Sequence, residues 1–149
     1  MYKFIIGIVV LTLLTSCGGG GETAEKYMQA GFVNIQKQEY DQAIANFQKA
    51  VALEPRAAAG YNMLGMAYRF KANQLGIPEL RAKEIAAFQK AVEIDPHNVV
   101  ALINLGVSYY RQGQKAKAAP LFKQALALNP QHPEKAQFEK MIAEGEARP

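Results

Sequence analysis

The chain has 149 residues, half of them hydrophobic and a fifth charged, with no Trp, two His and one Cys. That balance is globular, and it excludes a disulfide framework, a Cys-rich redox site and a Cys/His zinc site. Lys and Arg number 17 against 13 Asp and Glu, a net charge of +4. These cations are spread along the chain, so the excess does not read as a nucleic-acid footprint.

At the N-terminus, Lys3 precedes an apolar run from Phe4 to Leu14. A short positive region followed by such a run has the form of a signal peptide. It falls short of the roughly 20 apolar residues that a spanning helix needs. The run closes on Leu14-Thr15-Ser16-Cys17, and Gly18 to Gly21 follow. Leu14 to Cys17 resembles the lipobox of bacterial lipoproteins. The resemblance implies that Cys17 carries lipid, that residues 1–16 are removed, and that residues 17–23 form a tether. Several acyl chains on one residue anchor stably where one chain does not, and a Gly-rich linker is flexible. Gly18 stands where an Asp would signal inner-membrane retention. The implied location is therefore the bacterial cell envelope, at the outer membrane facing the periplasm if the organism has two membranes.

Beyond the tether the sequence repeats. Phe47-Gln-Lys-Ala50-Val-Ala-Leu-Glu-Pro55, Phe88-Gln-Lys-Ala91-Val-Glu-Ile-Asp-Pro96 and Phe122-Lys-Gln-Ala125-Leu-Ala-Leu-Asn-Pro130 hold Phe, Ala and Pro at the same spacing. Upstream of them lie Tyr27…Ala30-Gly31, Tyr61…Leu64-Gly65…Tyr68 and Leu102…Leu105-Gly106…Tyr109. These segments resemble the tetratricopeptide repeat, a helix-turn-helix unit of 34 residues. Residues 24–57 form repeat one and 99–132 repeat three. Residues 58–98 form repeat two, with seven additional residues placed between its helices, around Asn73 to Leu80. Gly76 can end one helix there, and Pro78 can begin the next as its first residue.

The residue types suit that reading. Ala30, Gly31, Gly65 and Gly106 are small where two helices approach. Phe47, Phe88 and Phe122 are expected to fill the space between neighbouring helix pairs. Pro55, Pro96 and Pro130 end the second helices. Pro120 is harmless if it lies in the first turn of its helix. Glu84 replaces a small residue, a change that a longer loop in repeat two would absorb. Residues 133–149 form a capping helix and tail: Pro133 suits a helix start, and Phe138, Met141 and Ile142 make one apolar stripe. Glu134, Lys135, Glu139, Lys140 and Glu144 would cover its other side. The expected fold is all-α, a right-handed α-solenoid of three helix-turn-helix repeats plus the cap, seven helices in total.

Resemblance to the tetratricopeptide family also places a peptide-binding groove on the first helices. Its positions here are Met28, Phe32 and Ile35 in repeat one, Asn62, Met66, Arg69 and Phe70 in repeat two, and Ile103, Val107, Tyr110 and Arg111 in repeat three. Apolar and Met-rich faces bind peptides or amphipathic helices by burial. Arg69 and Arg111 are suited to hold a carboxylate. The carboxylate clamp of chaperone-binding members is not expected, because Met28, Phe32 and Val100 stand where it needs polar residues.

Motifs for catalysis, metal or cofactor are not recognisable. His97 and His132 follow repeat-ending prolines and read as surface turn residues, and no nucleophile has a plausible base. The chain therefore reads as a non-enzymatic, membrane-tethered adaptor without cofactor. Its partner would be a protein or peptide segment in the envelope, for instance of a pilus or secretion machine. The alternative is a self-associating structural module, a homo-oligomer whose groove is filled by a second copy.

Overall fold

The computed structural model describes residues 21–147. Cys17 and the apolar run before it lie outside the described residues. Seven helices follow in order: α1 (Ala24–Gln36), α2 (Tyr40–Leu53), α3 (Ala58–Leu75), α4 (Glu79–Ile94), α5 (Val99–Arg111), α6 (Lys115–Leu128) and α7 (Lys135–Glu146). Each packs chiefly on the helices before and after it, so α1–α2, α3–α4 and α5–α6 are stacked hairpins and α7 closes the end. This is the expected all-α solenoid with its cap.

Local chemistry sets the ends of the helices. Thr23 caps α1 by accepting from the Lys26 amide at 3.2 Å, and Asn98 caps α5 by accepting from the Ala101 amide at 3.0 Å. Each hairpin connection contains one left-handed residue: Gln38 (φ 61°), Gly76 (φ 64°) and Gly113 (φ 76°). Repeat one thus places a side chain where the other two use glycine.

The additional residues of repeat two do not make a longer loop. The α3–α4 connection is Gly76-Ile77-Pro78, of the same length as Lys37-Gln38-Glu39 and Gln112-Gly113-Gln114. The helices lengthen instead: α3 has 18 residues against 13 in α1 and α5, and α4 has 16 against 14 in α2 and α6. Helix-forming residues such as Lys71, Ala72 and Leu80 favour continuation, and a continued helix satisfies its own backbone hydrogen bonds. Pro78 precedes α4 by one residue, and Pro133 precedes α7 by two.

One packing expectation is extended by the structure and a second is corrected. Phe47, Phe88 and Phe122 lie inside their own hairpins as well as against the next helix. A Cβ at Gly31 would stand 2.5 Å from the Phe47 ring, one at Gly65 2.7 Å from Phe88, and one at Gly106 2.7 Å from Phe122. Only glycine lets the aromatic ring reach the backbone of the facing helix. Pro120 is the sixth residue of α6, past the first turn. It cannot donate to the carbonyl four residues earlier, so α6 carries a gap in its ladder on an exposed side.

The core forms two clusters. Ala43, Ile44, Phe47, Leu64, Ala67, Tyr68 and Ala87 join repeats one and two. Ala118, Phe122 and Phe138 join repeat three to the cap, and Phe122 stacks on Phe138 with centroids 5.0 Å apart. Phe138 is buried, and Met141 and Ile142 lean on the same cluster. At the other end the stack stops on a mixed seam, where Val33, 40 % exposed, stands among polar residues in the register of buried Ala67. Lys26, Gln29 and Gln36 of α1 are exposed, while the same register in α3 holds Gly60, Met63 and Phe70, which pack on α2.

Candidate binding surface

The first helices α1, α3 and α5 present the positions expected to bind a partner. Phe32 on α1 is 50 % exposed and Val100 on α5 58 %, and Arg111 on α5 is exposed as well. Met28, Ile35, Met66, Ile103 and Val107 are partly exposed, with Met28 and Ile35 leaning on the first core cluster and Ile103 and Val107 on the second. Met28 also borders a mainly apolar hollow of about 350 Å³ at the N-terminal ends of α1 and α3. Ala24, Ala59 and Gly60 line it together with Ala50 and Ala57 from the end of α2 and its connection.

Arg69 does not offer a free charge. Its Nε donates to Glu84 Oε1 at 2.8 Å, Nη1 to Asn104 Oδ1 at 2.9 Å, and Nη2 to the Asn104 carbonyl at 2.8 Å and Ser108 Oγ at 2.9 Å. Its guanidinium lies 4.7 Å from the centre of the Phe88 ring. Glu84 is 2 % exposed, so its carboxylate is held by Arg69, by the Ser108 hydroxyl at 2.6 Å and by Arg81 at 3.9 Å. The expectation that Arg69 holds a partner's carboxylate is therefore corrected: a buried charge needs a partner, and Glu84 takes the guanidinium. Asn104 Nδ2 donates to Asn62 Oδ1 at 3.0 Å, which links α5 to α3 across the same face.

Other expected site residues are engaged in a similar way. Phe70 stacks on Tyr40 at 5.9 Å, across the α2–α3 seam. Tyr110 donates to Glu144 Oε2 at 2.5 Å, and Lys115 donates to the same oxygen at 2.7 Å. Glu144 thus turns toward the body rather than covering the outer side of α7. Its pKa is lowered, first by the Lys115 hydrogen bond and then by Tyr110. The Lys115 ammonium and the Tyr110 phenol are both raised, each chiefly by the hydrogen bond to Glu144. Arg111, by contrast, is exposed and donates only to Asn73, at 3.3 Å.

Among the described residues no group of three His, Cys, Asp or Glu side chains converges on a metal-sized site. No described helix is long and apolar enough to cross a membrane. His97 is exposed, and His132 accepts from the Glu134 amide at 3.1 Å and tilts against Phe138.

The sequence and the fold can be set beside known proteins. Residues 99–132 match the tetratricopeptide repeat family model, and residues 33–69 match a second model for the TPR repeat. The first TPR domain of Spaghetti (RPAP3), solved with the HSP90 peptide SRMEEVD, superposes with a TM-score of 0.73 over 85 % of this chain and 94 % of that one, at 18 % identity. The fold is a tetratricopeptide-repeat solenoid. Similar tetratricopeptide domains include that of Arabidopsis OM64, with TM-score 0.70, 21 % identity and coverage of 81 % of this chain and 94 % of that one. The TPR2B domain of yeast Sti1, solved in a pHsp70 complex, gives 0.68 and 19 % over 82 % and 94 %. No curated protein sequence matches the chain.

Proposed function

We propose that this chain is a lipid-anchored adaptor of the bacterial cell envelope that binds a protein segment on the inner face of its tetratricopeptide solenoid. The observation that carries the reading is Phe32, half exposed on α1 in line with partly exposed Met28 and Ile35. An open aromatic flanked by Met and Ile is suited to bury an apolar side chain of a partner. Two similar domains hold Hsp90 and Hsp70 peptides, according to their structures, which supports peptide binding by a solenoid of this size. The membrane anchor rests on the lipobox at Leu14 to Cys17.

Assembly of an envelope complex such as a pilus or secretion machine is the setting this reading favours. The test is recovery of partners from envelope extract by the full chain and by Phe32→Asp. Loss of a specific partner from the variant is expected, and identical partner sets sink the inner-face reading. Cys17→Ser should release the chain from membranes; retention without lipid would refute the anchor.

A further inference from the structure

The outer side of the solenoid carries a second groove, between α2 and α4, with α3 as its floor. Two hollows meet along it, of about 680 and 450 Å³, and they share Tyr61 and Lys90. Tyr61 and Tyr68 form the floor, and Arg56, Lys83 and Lys90 stand along it with one carboxylate, Glu93. Lys90 is paired with Glu93 at 2.8 Å, while Lys83 lies 5.9 Å from the centre of the Tyr68 ring. Three cations against one carboxylate leave the lining with an excess of two positive charges.

One repeat later, the half of the seam that matches Tyr61 and Lys90 is shut. Where Tyr61 stands in repeat two, repeat three has Leu102, which is fully buried. Where Lys90 stands, repeat three has Gln124, whose amide donates to the Pro96 carbonyl at 2.8 Å and ties the seam closed. Tyr68 and Lys83 recur in repeat three as Tyr109 and Lys117, with the ammonium 5.5 Å from the ring centre, so the two seams differ at Tyr61 and Lys90.

We infer that this outer groove binds an extended peptide segment that alternates carboxylate and apolar side chains. Its floor of rings and the small Ala86 and Ala87 along α4 receive apolar side chains, and Arg56, Lys83 and Lys90 attract the carboxylates. Three separated cations offer too few phosphate contacts for a nucleic acid, whose affinity grows with the number neutralised. The site is distinct from the inner face and does not depend on it.

The test uses the full chain and a fluorescein-labelled peptide of alternating Glu and Leu, read by anisotropy at low salt, with an alternating Lys and Leu peptide as control. The Glu peptide is expected to bind and the Lys peptide not. Tyr61→Leu with Lys90→Gln copies the closed seam of repeat three, and this double variant should weaken binding about tenfold or more with an unchanged circular dichroism spectrum. Lys83→Glu should weaken it as well, and Phe32→Asp should leave it within about twofold. Equal binding of both peptides, full binding by the closed-seam variant, or loss only in Phe32→Asp would each overturn the proposal. So would capture by anionic phosphatidylglycerol vesicles without any binding of the Glu peptide.

Discussion

Arg69 and Glu84 lie 15 residues apart on the two helices of one hairpin, and their ion pair at 2.8 Å reaches through Asn104 and Ser108 into the next repeat. The pair therefore fixes repeat two against repeat three. Glu84→Ala should destabilise the fold by about 3 kcal/mol, because it strands a guanidinium that is only 14 % exposed. Urea unfolding measures this, and a change below about 1 kcal/mol would show that water replaces the carboxylate.

Gly65 tests the close approach of helix and ring. Gly65→Ala puts a Cβ 2.7 Å from Phe88, which is fully buried and cannot swing away. The expected loss is about 1–3 kcal/mol, in spite of the better helix propensity of Ala. Pairing it with Phe88→Leu should return part of that loss. Strict additivity of the two changes would mean that the ring and the methyl group do not collide.

Pro120 gives the opposite sign. Pro120→Ala restores the missing donor in α6 at an exposed position. The midpoint of urea unfolding should rise, by roughly 1–3 kcal/mol of stability at an unchanged m-value. A fall would show that the ring makes a contact worth more than the hydrogen bond.

The cap should come loose in acid. Glu144 has a lowered pKa, so its bond to Lys115 and Tyr110 adds stability above the ordinary carboxylate range and loses it as the pH falls through the folded value. Lys115 is raised, so its share is complete below the ordinary lysine range and disappears as the pH climbs through its folded value. Unfolding midpoints of the wild type and Glu144→Gln should therefore differ at neutral pH and converge in acid. Parallel curves at every pH would remove this triad from the docking of α7.

Much of the fold could be read from spacing. The Phe–Ala–Pro series placed the second helices, and the Gly series placed the first, because a ring that touches backbone leaves a signature at both ends of the contact. The additional residues of repeat two were harder, since nothing in Asn73 to Leu80 distinguishes a longer loop from two longer helices until Gly76 is seen to take the single left-handed position of a three-residue turn. The inner face was legible as a set of positions but not as a set of free groups. Glu84 was visible as an oddity at a small-residue position, yet its partner depends on how α3 crosses α4 and α5. Tyr110 is a similar case, because Glu144 reaches it only when α7 has docked. The outer groove left no motif, since it arises from Tyr61 and Lys90 departing from what repeat three holds.

The lengthened α3 has one more consequence. Five additional residues extend it by about 7.5 Å at a rise of 1.5 Å per residue, and only at its C-terminal end does it outreach α1 and α5. The hollow beside Met28 lies at the opposite edge. The inner face is therefore uneven in length, running on past α1 and α5 along the last turn of α3, with exposed Leu75 at its tip. The two edges of that face thus differ in kind: a projecting helix end on one side and an apolar hollow beside Met28 on the other.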